Sequence, residues 1–265
     1  MSGNSIISSP IMENKLITVI TASYNAADTI ERSILSIVNQ KADDIEYIII
    51  DGNSKDDTMK IVEKYRNRID YVISEPDKGV YDAWNKGLAA AHGEWIVFLG
   101  ADDFYEPDTF EKYRNFILSH NVTDIDVISA KCRLINAQGE ELRIFGQKYE
   151  WRKFRHGINR VAHGSTLHNA KLFKELGNYD IRFNINADFE FLLRRPMKAL
   201  FIDSIILNMQ DGGLSYSSKG IIQSYQVKRY RNSADCFHNT YYLVKGLTGF
   251  YLRKMIWKIT KKSRA

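Results

Sequence analysis

The stretch EWIVFLGADD, residues 94–103, decides the fold. Trp95 to Leu99 are five apolar residues in a row, the pattern of a short strand covered on both faces. Gly100-Ala101-Asp102-Asp103 then interrupts with a polar turn, and Pro107 marks the start of a helix, where its missing N–H is harmless. The same arrangement recurs upstream. LITVIT (16–21) is a strand closed by Ala22-Ser23-Tyr24-Asn25. IEYIIID (45–51) is closed by Gly52-Asn53-Ser54, and Tyr71 to Ser74 is followed by Glu75-Pro76-Asp77-Lys78-Gly79. Helical periodicities lie between them. Ile30, Ile34, Ile37 and Val38 share a face behind Asp28 and Glu31, spaced as a capping box. Met59, Val62 and Tyr65 follow a cap between Ser54 and Asp57, and Val80, Trp84, Leu88 and Ala91 line one side of the next helix.

Four strands alternating with helices over short links predict an α/β fold with a Rossmann-like, mostly parallel, doubly wound sheet. Ligands of such sheets sit beyond the carboxyl ends of the strands. The polar clusters at 21–25, 51–54, 75–79 and 100–103 therefore converge on one crevice. The second half is less regular. Ile125 to Arg133 reads as a strand, Arg133 to Phe145 as a hairpin around Asn136-Ala137-Gln138-Gly139, and Leu200 to Met209 as a strand pair or one bent strand. Ala170 to Leu176 and Ala187 to Arg195 read as helices, the latter stopped by Pro196. From Lys219 onward the chain is helical, with Tyr242, Gly246, Gly249 and Phe250 suggesting a turn between two helices.

At 265 residues, 44% hydrophobic and 26% charged, the chain can build a substantial core, which excludes disordered, collagenous and coiled-coil classes. Cys132 and Cys236 are too few for a disulfide framework or a cysteine-rich zinc site, pointing to a reduced, cytoplasmic setting. MSGNSIISSPIMENK has neither the basic start nor the apolar run of a signal peptide, and no run of about 18 apolar residues exists to span a bilayer. Residues 219–265 hold eleven Lys and Arg against one acid, Asp235, a net of +10; the preceding 218 hold 26 basic and 31 acidic side chains, a net of −5. An acidic body with a basic tail implies a polyanionic partner.

Adjacent carboxylates at Asp102 and Asp103, on a turn facing a crevice, suit a hard divalent cation; a solvated turn before a helix is the alternative. Asp51 could accept from a base N–H or a ribose hydroxyl, and Tyr24 could stack on a base. An ordinary strand-ending Asp and a half-buried loop aromatic are their alternatives. The chain has no Gly-x-Gly-x-x-Gly, P-loop or Gly-x-Ser-x-Gly signature, which sets aside the dinucleotide, P-loop and serine-hydrolase classes.

Four blocks, TASYNAADTIERSILSIVNQ, IEYIIIDGNSKDDT, SEPDKGVYDAWNKGLAAAHGEWIVFLGADD and HGSTLHNAKLFKELGNYDIRFNINADFEFLLR, occur in the order seen in family 2 glycosyltransferases. Over residues 15–215 the chain resembles that family, of the GT-A fold, and within it the bacterial subgroup that builds O-antigen, capsule and related surface polysaccharides. The resemblance implies a metal-dependent, inverting transfer from a UDP-sugar to a hydroxyl of a polyprenyl-diphosphate-linked saccharide, giving a β-linkage. It places Thr21 and Tyr24 at the nucleotide, Asp51 at the base, and Lys78, Gly79, Asp82 and Asn85 over the ribose and sugar. Asp102 matches the ribose and metal position, Asp102 and Asp103 hold Mn²⁺ or Mg²⁺, and Asp188 is the catalytic base. His163, Glu190 and Asp211 are possible acceptor or phosphate contacts. His163 is equally a packed core histidine, Glu190 equally a support of its helix, and Asp188 alone would also fit as a carboxylate at a helix N-terminus. The chain departs from the family at Gly100, where the usual motif begins with Asp, and in lacking a later His, for which Asp211 is the nearest polar substitute.

These readings divide the chain into an N-terminal extension (1–14), a GT-A domain (15–218, with a nucleotide half to 105 and an acceptor half from 106) and a basic helical tail (219–265). Phe250, Met255, Ile256 and Trp257 among cations suit an interfacial helix over 240–265, and the expected partner is an anionic membrane surface. No nucleic-acid motif accompanies the charge. A solvated hairpin packed on the domain is the alternative for the tail. The implied place is cytoplasmic, peripheral on the inner face of the membrane, with the oligomeric state open. Two other functions fit the same residues: a non-catalytic membrane-associated sugar-nucleotide-binding partner, and a GT-A transferase acting on a protein or small molecule.

Overall fold

The computed structural model describes residues 15–213 and 217–262, with side chains through Ile256. The extension 1–14, Leu214, Ser215 and the Trp257 side chain lie outside the described residues. β1 (Ile17–Ser23), α1 (Ile30–Val38), β2 (Ile45–Asp51), α2 (Thr58–Lys64), β3 (Tyr71–Ser74), α3 (Val80–Ala90) and β4 (Trp95–Gly100) follow in turn. Their strands pair in parallel in the order β3-β2-β1-β4. Then come β5 (Phe104–Tyr105), α4 (Thr109–Ser119), β6 (Val127–Ile135), β7 (Glu141–Phe145), α5 (Trp151–Phe154), β8 (Leu167–Asn169), α6 (Lys171–Leu176), α7 (Ala187–Leu192) and β9 (Ala199–Gln210). The chain continues through α8 (Ser218–Tyr230) and α9 (Cys236–Lys262). β8 pairs antiparallel with β4 and extends the sheet to β6, β9 and β5, while β7 forms a hairpin with β6. The α/β doubly wound sheet is thus parallel through its first four strands, and β6–β9 is the parallel pair of the mixed second half.

Period-two alternation builds a core on each face. Ile17, Val19, Ile45, Tyr47 and Ile49 pack with Ile30, Ile34 and Ile37 of α1 on one side. Ile20, Ile48, Ile50 and Phe98 pack with Trp84 of α3 and Phe191 of α7 on the other. Each fully buried aliphatic side chain contributes about 1.5–3 kcal/mol, so these two layers hold the strand ends in place.

Local details differ from the pattern reading. α1 starts at Ile30 behind Thr29 with no side-chain cap, so Asp28 and Glu31 form no capping box. Asp57 precedes α2 without a cap bond; Asp56 instead accepts from the Thr58 N–H. α4 begins at Thr109, two residues past Pro107. α3 buries Tyr81, Ala83, Trp84 and Gly87, a face rotated from Val80, Leu88 and Ala91 because the aromatic pair turns toward α7. Residues 200–209 belong to one bent strand, whose pairing with β6 shifts register between Ala130 and Cys132. α7 ends at Leu192, before Pro196 is reached. The turn between the two C-terminal helices lies at 231–235, and Tyr242 to Phe250 are inside the continuous α9. Gly246 serves close packing there, since a Cβ on it would lie 3.0 Å from Ile221 of α8.

Candidate active site

β1, β2 and β3 end side by side, with Ser23 opposite Asp51 and Asp51 opposite Ser74. Asp51 is fully buried. It accepts from Ser23 Oγ (3.0 Å), Ser54 N (2.9 Å), Ser54 Oγ (2.5 Å) and Ser74 Oγ (2.6 Å). A carboxylate has about four acceptor positions, and protein donors fill them here, as burial of a charge requires. The structure therefore makes Asp51 the tie of three strand ends and exposes none of it to a nucleotide base. Thr21 is likewise fully buried in β1, between Ile49 and Leu99, and offers the crevice no surface.

Tyr24 stands at the rim, 63% exposed, over Gly52. A Cβ on Gly52 would lie 3.3 Å from Tyr24 Cδ2 and 2.6 Å from Asp77 Oδ2, so this glycine keeps open a slot between an aromatic ring and a carboxylate. The sequence reading had the segment but missed Asp77. Its signal was spacing: Asp77 stands two residues before Gly79, whose N–H it accepts at 2.8 Å. Gly79 has φ +110°, a region glycine enters without penalty, and precedes α3. Asp82 reaches back to accept from the Lys78 N–H at 2.9 Å, and Lys78 projects outward. Lys78, Gly79 and Asp82 thus shape one rim loop.

Asp102 and Asp103 follow β4 with both carboxylates gathered over Gly100. A Cβ at Gly100 would lie 2.7 Å from Asp102 Oδ1 and 3.3 Å from Asp103 Oδ2, so the residue that departs from the family pattern makes room for the pair. Burial, and then the neighbouring Asp102, push the Asp103 carboxyl up to about 8. Asp103 Oδ1 accepts from the Gln210 N–H at 2.9 Å, which brings the end of β9, and with it exposed Asp211, beside the pair. Two crowded carboxylates, opposed by the neighbouring Arg32 guanidinium, are a hard-oxygen donor set that fits Mn²⁺ or Mg²⁺. Among the described residues no group of three or more His, Cys, Asp or Glu gathers as a metal cage. A cation here would complete its shell from a substrate's phosphate oxygens or water.

Asp188 lies in the first turn of α7. Its Oδ1 accepts from the Tyr81 hydroxyl at 2.7 Å, and that hydroxyl also lies 2.8 Å from the Ile185 carbonyl. Burial raises the Asp188 carboxyl above its ordinary range, while the Tyr81 bond opposes the rise. α8 fixes the loop entering α7: Gln223 Oε1 accepts from the Ile185 and Asn186 N–H groups, and Asn186 Nδ2 donates to the Gly220 carbonyl. Tyr81 from α3, Tyr179 and His168 are the titratable groups around the carboxyl. Because Tyr81 favours the ionised form, Tyr81→Phe is expected to raise the Asp188 pKa. NMR titration of the Asp188 carboxyl should show its midpoint at higher pH in the variant than in the wild type. An unmoved midpoint would show that Tyr81 does not stabilise the carboxylate.

Three further residues take structural places. Asn85 donates to the Tyr179 carbonyl (3.0 Å) and accepts from its N–H (2.9 Å), so its amide is used in joining α3 to the loop before α7. His163 stacks on Phe98 with ring centroids 5.1 Å apart and meets Trp84 edge-on; burial holds its pKa down to about 3. It is a half-buried histidine held neutral among aromatic rings. Glu190, fully buried, pairs with Arg194 and Arg231 and leaves no oxygen for an acceptor sugar. The crevice residues the structure brings together are Tyr24, Asp77, Lys78, Gly79 and Asp82 on one side and Asp102 and Asp103, tied to Gln210 of β9, on the other. Asp188 is joined to the first group through Tyr81 of α3.

Residues 18–177 match the family described as glycosyl transferase family 2. A PGL/p-HBAD biosynthesis glycosyltransferase of Mycobacterium tuberculosis is 29% identical over 187 residues, 69% of this chain and 70% of that protein. An uncharacterised glycosyltransferase of the same organism is 33% identical over 191 residues, 68% of this chain and 69% of that protein. A putative teichuronic acid biosynthesis glycosyltransferase of Bacillus subtilis, TuaG, is 38% identical over 40% of this chain and 43% of its own. In fold, the chain is similar to S. aureus TarS 1-349 in complex with UDP, with a TM-score of 0.64 at 19% identity over 88% of this chain and 70% of that one. It is also similar to the mannosyltransferase PcManGT of Pyrobaculum calidifontis in complex with GDP-Man and Mn²⁺, with a TM-score of 0.60 at 18% identity over 89% and 74%. The sheet is that of the GT-A glycosyltransferases, and the chain belongs to glycosyl transferase family 2.

Proposed function

We propose that the chain transfers a sugar from a UDP-sugar to a hydroxyl of a polyprenyl-diphosphate-linked saccharide, with inversion to a β-linkage, in the assembly of a bacterial surface polysaccharide of the O-antigen or capsule type. The observation that carries the reading is Asp188, a half-buried carboxylate of raised basicity held by Tyr81 of the rim helix α3. A binding module has no use for such a base. The donor class is supported by the likeness to structures holding UDP, UDP-GlcNAc and GDP-Man, and the surface-glycan setting by the relatives in teichuronic acid and PGL biosynthesis.

The base stacks on Tyr24 with an N–H toward Asp77, and Lys78 and Asp82 face the ribose and sugar. Asp102 and Asp103 would hold Mn²⁺ or Mg²⁺, which would neutralise charge on the departing diphosphate. Asp188 takes the proton of the acceptor hydroxyl as its oxygen bonds to the anomeric carbon and the sugar–phosphate bond breaks. A single displacement inverts that centre. The acceptor's lipid places the work on the inner face of the cytoplasmic membrane.

Calorimetric titration of UDP, GDP and dTDP into the protein, with Mn²⁺ and then with chelator, tests the donor half. UDP is expected to bind selectively and to weaken on chelation. Absence of binding by any of the three in both conditions would remove the transferase reading.

A further inference from the structure

α9 is a continuous helix of 27 residues, about 40 Å at 1.5 Å per residue, and among the described residues it packs on α8 along one side. On the packed side, Asn239 Nδ2 donates to the Tyr225 carbonyl, the Lys228 ammonium lies 5.7 Å from the Tyr242 ring centroid, and Gly246 meets Ile221. Helical spacing puts Phe237, Tyr241, Val244, Tyr251, Leu252 and Met255 on the opposite side, within an arc of about 100°. Phe237 is 79% exposed, Val244 57% and Tyr251 56%. Residues 236–262 carry six Lys and Arg and no acid. No helix among the described residues is long and apolar enough to cross a membrane.

We propose that this outward stripe of α9 lies in the surface of an anionic lipid bilayer, with its aromatics and aliphatics in the headgroup boundary and Lys245 and Lys254 beside them on phospholipid phosphates. The inference deepens the proposed function by assigning the contact surface to residues other than those the sequence pattern favoured: Phe250 is half-buried, and Phe237, Tyr241 and Val244 begin the stripe. Charge complementarity selects the occupant. A second α9 laid on the stripe would set cations against cations with no acid between 236 and 262. An anionic bilayer meets both the apolar stripe and the charge. The chain of contacts from α9 to α8, and from Gln223 of α8 to the loop before Asp188, would keep the base close to a lipid-borne acceptor.

The test is co-sedimentation of the full chain with phosphatidylcholine vesicles, with and without phosphatidylglycerol, for wild type and for the double variant Val244→Glu/Tyr251→Glu. Pelleting is expected with the anionic vesicles, weaker at high salt, and at least roughly tenfold lower for the variant. Unchanged thermal unfolding and UDP binding would show the variant to be folded. Failure of the wild type to pellet with anionic vesicles overturns the proposal, as does a variant that pellets equally. Lipid-free dimerisation abolished by the same variant would also overturn it, because a second copy would then cover the stripe. Vesicle binding is read without donor or turnover, so loss of the donor reading would leave this result standing, and the converse.

Discussion

Asp188→Asn is expected to reduce turnover by roughly 10²–10⁴-fold, the range a positioned general base supplies, while UDP binding persists. The asparagine keeps the side-chain shape and can still accept from the Tyr81 hydroxyl, which lies 2.7 Å from Asp188 Oδ1. It cannot take a proton from an acceptor hydroxyl. The donor contacts proposed for Tyr24, Asp77 and Asp102 lie on other elements, so calorimetric affinity should be retained. Single-turnover rates and titrations on one preparation check both parts. Retained turnover would remove Asp188 as the base; loss of UDP binding together with turnover would assign it to the donor pocket.

Glu190→Ala is expected to lower stability by about 3–5 kcal/mol, because a buried charge cluster loses its centre. Glu190 is fully buried between Arg194 of its own helical segment and Arg231 at the end of α8, whose side chains are 11% and 28% exposed. Removing the carboxylate leaves two guanidinium groups facing each other and unfastens α8 from α7. For a chain of this size the unfolding midpoint should fall by on the order of 10 °C. Thermal unfolding measures it. Glu190→Gln separates this role from contact with the acceptor. A structural Glu190 predicts a lowered midpoint with near-normal turnover in the cold, whereas lost turnover at an unchanged midpoint would return it to the acceptor site.

Much of the crevice was legible because strand ends are local. An apolar run that stops at a polar cluster announces where a parallel strand delivers its last residues, and the positions of Tyr24, Lys78, Gly79, Asp102 and Asp103 past strand ends could be read on that basis. Asp188, in α7, was singled out only by the family resemblance. What a polar residue does once delivered is not local. Asp51 and Asn85 have the composition of ligand contacts, yet their hydrogen-bonding capacity is taken by Ser23, Ser54 and Ser74 and by the Tyr179 backbone, which folding brings from distant segments. Glu190 is two residues from Asp188 in sequence, and the partner that defines its role, Arg231, is forty-one residues away.

By itself the sequence determined the α/β class, the order of the first four strands and helices, the placing of the acidic clusters at strand ends, and the charge division between body and tail. These follow from periodicity and composition over windows of about ten residues. The tertiary structure alone decided that β8 enters the sheet antiparallel, that α9 is unbroken through Gly246 and Gly249, and that Tyr81 reaches Asp188 across the domain. It also brought Asp77 into the slot beside Tyr24. The reason is physical. Desolvation and hydrogen-bond saturation depend on which atoms meet in space, and a buried polar group takes its function from partners that the neighbouring sequence does not contain.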